Sequence, residues 1–549
     1  MEIFFTILIM TLVVSLSGIV SKIIPFTIPL PLMQITAGAL LAWPKFGLHV
    51  DFDPELFLVL FIPPLLFVDG LKTPINEFLN NGREIIALAL ILVIITVIGI
   101  GYLISWITPG IALTPAFALA AVLSPTDAIA LSGILGKKKI PKKIMTILNG
   151  EALMNDASGL VSLKFSVAVA TGSMVFTIPE AILEFLKIAI GGLLSGIIVC
   201  KTYGKLLKLF RKWSGADTAT QTILLLLLPF TSYLIAEHLG VSGILASVAS
   251  GMTINKFNIL RQAPLTMRLR AKGVWQMLEF VFNGIVFLML GLQLPDIIQI
   301  SIIEAKKDPN VQLWILLCDI IIIYISLIIV RFIWLWIMKH VSIFLLKKHP
   351  LAFTNYSNRE LLITSFAGVC GAITLAGVLS IPLYLNNGSV FPARYELIFI
   401  ATGVILFSLI IGVIFLPIML RGINGINKIN YYKELQLAKA TMADLAIESL
   451  YKIEENLIKE NTENIDTELL KEVNTKIIGN IRNKINIHND LKQAQFKENL
   501  EKRLRLVALR AERTELYHMR ATKKISNEIM LKLSHDLDLM EALLTDIEE

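Results

Sequence analysis

The chain carries apolar blocks too long for a soluble core. Glu84–Ile107 and Trp314–Ile337 each reach the length a helix needs to cross the hydrocarbon of a bilayer, about 20 residues. Of the 549 residues only 17% are charged and 55% are hydrophobic. A soluble protein of that size needs more charge to cover its surface. No stretch shows the short polar–apolar alternation of barrel strands. These features predict an all-α membrane protein. The first block, Ile3–Val20, has no basic segment before it and no small-residue cleavage site after it, so it is expected to be the first span, not a signal peptide.

Apolar blocks interrupted by polar loops predict about 13 transmembrane helices, near 3–21, 27–43, 55–70, 84–107, 112–135, 145–171, 180–204, 218–237, 239–255, 274–294, 312–338, 360–383 and 395–420. The net charge of +7 is expected to report topology, not nucleic-acid binding, because much of it lies in loops on one side. That side holds Lys22, Lys72, Arg83, Lys137–Lys139, Lys142, Lys143, Lys201, Lys205, Lys208, Arg211, Lys212, Lys256, Arg261, Arg268, Arg270, Lys272, Lys339, Lys347 and Lys348. The opposite loops hold only Lys45, Lys306, Lys307 and Arg394. Positive loops face the cytoplasm, which predicts a cell (inner) membrane protein with its N-terminus outside and its C-terminus inside.

After Arg421 the composition changes: 422–549 has neither proline nor tryptophan, and apolar residues such as Leu500, Leu504, Val507 and Ala511 recur at helical spacing among charges. Two domains are expected: a membrane domain, 1–421, and a soluble helical cytoplasmic domain, 422–549, whose composition names no partner. The three cysteines, Cys200, Cys318 and Cys370, lie in or beside apolar segments without metal-ligand spacing, so no zinc, disulfide framework or other cofactor is expected.

Ionisable residues inside a span cost roughly 2.5–3.5 kcal/mol each on insertion scales and generally face a pathway or a partner. The chain keeps Asp127, Glu151, Asp156, Lys164, Glu279, Asp319 and Arg331 in such segments. Asp127 follows Ser124-Pro125-Thr126. A proline inside a span removes a backbone donor and opens the helix, and open backbone at that depth lines a cavity or meets an ion. Asp127 there either caps the break or binds a cation, and Thr126 adds a hydroxyl. In Gly150-Glu151…Asn155-Asp156…Gly159, Glu151 and Asn155 share a helix face, while Asp156 points about 140° away from Glu151. The two carboxylates therefore have different neighbours. One that carries either a proton or a cation has the minimal chemistry of an antiporter. Arg331 is a permanent cation; it either pairs with Glu151 or reaches the cytoplasmic interface. Lys164 is expected to reach the outer interface.

At these motifs the chain resembles the sodium/proton exchanger family of bacterial NhaP-type antiporters and animal NHE exchangers, over roughly residues 1–420. The resemblance rests on Pro125-Thr126-Asp127, on the Gly150–Gly159 segment and on Pro63-Pro64-Leu65-Leu66-Phe67. Asn283-Gly284…Gly291-Leu292-Gln293-Leu294-Pro295 and Gly371-Ala372-Ile373-Thr374-Leu375-Ala376 extend it. It implies two inverted repeats with broken, crossing fifth and twelfth helices, and a homodimer. It implies that Asp156 binds proton and cation alternately, with Asn155 as structural partner, Thr126 contributing an oxygen, and Glu151 paired to an arginine. Asp127 joins the ion site on its own position at the break, and Arg331 is the substitute partner for Glu151 from a neighbouring span. Asp156 and Thr126 would be the direct ligands of the monovalent cation. The Asn155-Asp156 pair implies one-for-one, electroneutral exchange. The chain departs from relatives at Cys370, where many carry arginine, and at Ala152, where some carry serine.

The function expected is secondary antiport of sodium for protons across the lipid bilayer. Potassium and lithium stay open, because hard monovalent cations share oxygen ligands. A channel or ion-gated sensor on the same fold is the rival. An enzyme is not expected, and no phosphate-binding loop for ATP is present.

Overall fold

Helix accounts for nearly all of the described chain. The computed structural model describes residues 2–23, 28–43, 54–108, 110–135, 140–172, 178–214, 218–257, 259–263, 265–307, 313–345, 356–382, 384–385, 388–389, 391–421, 428–460, 467–485, 491–522, 524–525 and 527–545. Helices α1 (Glu2–Ile23) and α2 (Leu30–Leu41) precede α3 (Pro54–Leu60), α4 (Ile62–Lys72) and the short α5 (Ile75–Asn80). Helix α6 (Gly82–Ile86) runs through a π-helical turn at Ala87–Ile91 into α7 (Leu92–Ile107). Then come α8 (Leu113–Leu123), α9 (Ala128–Leu135), α10 (Lys142–Ala170), α11 (Ile178–Ser214), α12 (Thr218–His238) and α13 (Gly243–Lys256). Helices α14 (Leu265–Lys307), α15 (Leu313–Leu345), α16 (Asn358–Phe366), α17 (Ala372–Leu379) and α18 (Arg394–Met419) complete the apolar part.

Among the described residues, seven helical segments are long and apolar enough to cross a membrane, including Gly82–Ile107, Trp314–Ser342 and Arg394–Met419. Others are shorter or broken, as around α3–α4, α8–α9 and α16–α17. Several helices outrun the apolar segments predicted for them. Lys201, Lys205, Lys208, Arg211 and Lys212 ride the end of α11, and Arg268, Arg270 and Lys272 the first turns of α14, although the sequence reading put them in loops. Lysine and arginine are good helix formers, so charge ends the hydrocarbon segment without ending the helix. Lys45, Lys137–Lys139, Lys347 and Lys348 lie outside the described residues.

Local chemistry sets the ends that matter. Ser242 caps α13 by accepting from Leu245 N–H at 3.2 Å. Ser357 and Glu360 form a reciprocal capping box at the start of α16. Within the π-helical turn the Ala89 carbonyl accepts from Ser158 Oγ of α10 at 2.6 Å, which ties these two helices together. Apolar packing forms a main core around α7, α8, α10, α15, α17 and α18, which surrounds both broken helices. A second cluster joins α4, α11, α12, α13 and α14, and a third joins α1, α2 and α14.

The chain divides into two compact units, Met1–Gly425 and Ile426–Glu549. The second contains α19 (Lys428–Glu460), α20 (Thr467–Ile485), α21 (Leu491–Ala521) and α22 (Asn527–Thr545). They pair as α19 with α20 and α21 with α22. Arg513 ties the latter pair, reaching Asp538 and Glu541 at 2.6 Å each.

Helix pairs within the membrane lack a hydrophobic driving force and rely on close backbone approach at small residues. Helices α4 and α13 do so at Gly251, where an added Cβ would overlap the Phe67 carbonyl and lie 3.0 Å from Leu71 N. Gly251→Val is expected to destabilise the protein by about 1–3 kcal/mol, the usual cost of overpacking. Thermal unfolding in detergent should register it, whereas Gly99→Ala, at a position with nothing within 4 Å, should unfold like the wild type.

Candidate functional site

Two interrupted helices meet at the centre of the main core. The first breaks because Pro125 has no N–H for the carbonyl of Ala121, four residues back. Ser124 Oγ supplies the missing donor to that carbonyl at 2.9 Å. The chain leaves helical structure at Thr126 and Asp127 and resumes as α9, which Asp127 Oδ1 caps by accepting from Ala130 N–H at 2.9 Å. The second helix breaks at Gly368–Gly371, between α16 and α17, without a proline. The breaks touch directly: Asp127 N–H donates to the Val369 carbonyl at 2.8 Å. A Cβ on Gly371 would overlap the Asp127 side chain, so only glycine allows this crossing.

The crossing sorts charge. Half-helix N-termini carry partial positive charge and C-termini partial negative charge. The Asp127 carboxylate lies at the N-terminus of α9 and against Gly371, the residue that opens α17. On the other side, Arg331 of α15 reaches the C-terminal turn of α16, donating from Nε to the Thr364 carbonyl at 3.1 Å. Its two terminal nitrogens hold Glu151 of α10 bidentately, Nη1 to Oε1 at 2.5 Å and Nη2 to Oε2 at 2.6 Å. Glu151 is 1% exposed, so the pair is shut away from water. Arg331 also packs against the backbone of Gly368. Cys370 is buried beside it, its N–H bonded to Ser408 Oγ at 3.2 Å. A guanidinium therefore stands at the second break although the break itself supplies a cysteine.

One turn along α10, Asn155 donates from Nδ2 to Thr126 Oγ1 at 2.9 Å. Its Oδ1 is buried and accepts no hydrogen bond from the described residues. Asp156 is buried at 7% exposure and, among the described residues, has neither an ion-pair partner nor a hydrogen-bond donor on its carboxylate. Such a group needs a proton or a cation to be stable out of water.

A cavity of about 300 Å³ gives access to it, lined by Asp69, Lys72, Thr126, Asp127, Asp156, Glu279 and Asn283 among others. A second cavity of about 30 Å³, room for a single water, lies beyond the break against Tyr324, Arg331 and Cys370. Thr126 lines both. Asp127, Asp156, Asn155 and Thr126 are thus brought together, while Glu151 and Arg331 form a separate pair behind them.

The remaining intramembrane charges find other partners. Lys164 lies 3.4 Å from Glu237 of α12. Buried Asp319 accepts from Thr108 Oγ1 at 2.9 Å. Glu279 pairs with Lys72 at 2.6 Å. Asp69, on α4 facing the cavity, is absent from the sequence-based set; its place inside the apolar run Ile62–Leu71 is the signal that marks it.

Removing one partner of a buried ion pair leaves the other charge uncompensated, at a cost of about 3–5 kcal/mol. Arg331→Met should lower stability by that order in detergent thermal unfolding, and Arg331→Met/Glu151→Gln should recover much of it. A double variant no more stable than the single one would mean that the pair does not account for the loss.

Comparison with known proteins places this architecture. The family model described as sodium/hydrogen exchanger, transmembrane, matches residues 8–422. The chain is 63% identical over 546 residues to the uncharacterized Na(+)/H(+) exchanger YjcE of Escherichia coli, covering 100% of both chains. It is 38% identical over 545 residues to the sodium, potassium, lithium and rubidium/H(+) antiporter of Bacillus pumilus, covering 98% of this chain and 78% of that one. The sodium proton antiporter MjNhaP1 of Methanocaldococcus jannaschii superposes with a TM-score of 0.56 at 17% identity, over 77% of this chain and 99% of that one, which speaks to the fold alone. A multi-pass helical membrane protein with crossed, broken helices and a family match over most of its length, the chain belongs to the sodium/hydrogen exchanger family.

Proposed function

We propose that the protein exchanges a monovalent cation, sodium first, for protons by alternating access, with Asp156 as the group both ligands share. The observation that carries this reading is the buried Asp156 carboxylate, unpartnered among the described residues, beside a cavity of about 300 Å³. A proton or a cation neutralises it, and binding one expels the other. The bare carboxylate is costly to move through a low-dielectric barrier, so the empty site stays put and exchange is obligatory. One carboxylate in this role gives one proton per monovalent cation, an electroneutral cycle. Thr126 and the free Oδ1 of Asn155 are the oxygens next to it, and Asp127 holds the helix ends in place while lending the site negative charge. Glu151 and Arg331 fasten α10 to α15 and α16 as one moving body.

Thr126, between the large cavity and the small one, is where access would alternate. The large cavity lies toward Lys72 and the start of α10, the side that loop charge assigns to the cytoplasm. We read this conformation as inward-open, in the cell membrane, with an outer N-terminus, residues 422–549 as a cytoplasmic domain, and a homodimer as the working unit. A second reading, potassium as the main cation, draws support from the Bacillus pumilus relative, whose name includes sodium, potassium, lithium and rubidium.

Proteoliposomes containing a pH dye test both. Sodium, potassium, lithium or rubidium added to the wild type should drive proton movement, and the cation giving the largest rate at low concentration is the physiological candidate. Asp156→Asn should fall to the rate of protein-free liposomes. An imposed membrane potential should leave the wild-type rate unchanged. Normal exchange by Asp156→Asn would remove Asp156 from its role, and a wild type that moves no protons with any of the four would remove the antiport reading.

A further inference from the structure

We propose that Lys72 and Glu279 form a built-in charge screen at the entrance of the large cavity, which sets how strongly the protein attracts its cation. Lys72 ends α4, and its ammonium sits 2.6 Å from both carboxylate oxygens of Glu279 on α14. Lys72 is 56% exposed and Glu279 19%, so the pair stands where the cavity meets water. Four acidic residues line that cavity, Asp69, Asp127, Asp156 and Glu279, and Lys72 is the cationic residue among its lining. Asp69 lies one helical turn before Lys72 on the same helix.

The ammonium is held there by the backbone. Thr73 closes α4 with its N–H and its hydroxyl both donating to the Asp69 carbonyl, at 3.0 and 2.7 Å. Asn255 of α13 donates from Nδ2 to the carbonyls of Leu71 and Thr73, the residues on either side of Lys72, at 3.2 Å each. The end of α4 is thus pinned by two independent sets of hydrogen bonds, and Lys72 projects from a fixed point over Glu279.

The consequence for an arriving cation is electrostatic. A single-sign cleft concentrates counter-ions. With the pair intact, Glu279 neither traps the cation at the mouth nor leaves Lys72 free to repel it, and attraction comes from Asp69 and Asp156 deeper inside. Removing Lys72 exposes the Glu279 charge and raises the local cation concentration. Removing Glu279 frees an ammonium that opposes entry. A unit charge a few ångströms from a cation in a water-filled mouth changes its occupancy by a factor of roughly five, less as salt rises.

The inference rests on the transport reading of this cavity, and the experiment separates the two. Everted membrane vesicles from a host lacking its own antiporters present the cytoplasmic face to added sodium or potassium, and a pH dye reads exchange. Lys72→Met should lower the half-saturating cation concentration about threefold to tenfold. Glu279→Gln should raise it by a similar factor. Lys72→Met/Glu279→Gln, and the exchanged pair Lys72→Glu/Glu279→Lys, should return to within about twofold of the wild type, with maximal rates little changed throughout. Raising ionic strength with N-methylglucamine chloride should shrink both single-variant shifts. Single variants that leave half-saturation unchanged, or shift it in the same direction, would overturn the screen. Loss of maximal rate that the exchanged pair does not restore would reassign the ion pair to structure alone. A wild type without exchange would instead defeat the transport reading beneath it.

Discussion

Everything in the membrane part depends on a backbone hydrogen bond at the meeting of two broken helices, from Asp127 N–H to the Val369 carbonyl. Open backbone at that depth is tolerated only where protein or a water-filled cavity satisfies it, and the remaining contacts of the centre supply that satisfaction. Ser124 serves the carbonyl orphaned by Pro125, Asp127 caps α9, Ser408 receives the Cys370 N–H, and Arg331 takes the Thr364 carbonyl. A negative side chain stands at two helix beginnings and a positive one at a helix ending, so each side chain has the sign that opposes the helix-end charge beside it. Asp156 lies outside this arrangement, which leaves its carboxylate available to something that enters from the cavity.

The balance also explains how a cysteine at position 370 is compatible with an ion-paired Glu151. The guanidinium arrives from α15 and spans three helices at once, contacting α10 through Glu151, α16 through Thr364, and the break through Gly368. What this centre requires is a positive charge at that point in space. The helix that donates it is secondary. A planar, forked cation suits the task because it serves a carboxylate and a carbonyl simultaneously.

Much of this is legible in the residues alone. Helical class and membrane character follow from the length of the apolar blocks, and the first break is written in Pro125. The second break has only glycines to announce it, and glycine is common in membrane helices for packing alone, so Gly368–Gly371 could be located only through its resemblance to relatives. Asp69 is hard to see because α4 is short and apolar up to it, so that it reads as the end of a span. The pairing of Lys72 with Glu279 joins residues 207 positions apart, and no local pattern encodes such a contact. Charges on α11 and α14 misled about loop positions for a related reason: hydropathy reports where hydrocarbon ends, while helix continues as long as its hydrogen bonds do.

The π-helical turn at Ala87–Ile91 bears on how this chain can vary. A π turn holds one residue more than the α-helical turn it replaces, so the helix beyond it is offset by about 100° from the face it would otherwise present. Val93, Thr96, Ile100 and Ile104 are buried in that offset register, and Ser158 of α10 donates to the Ala89 carbonyl within the turn. Loss of a single residue from the turn would let it wind as ordinary α-helix with the buried face of α7 still inward, whereas one more residue added with α-helical winding would swing that face by about 100° toward lipid. The turn is therefore the place in this helix where a change of length by one residue can be absorbed, while the segments on either side of it are fixed in length by the faces they bury.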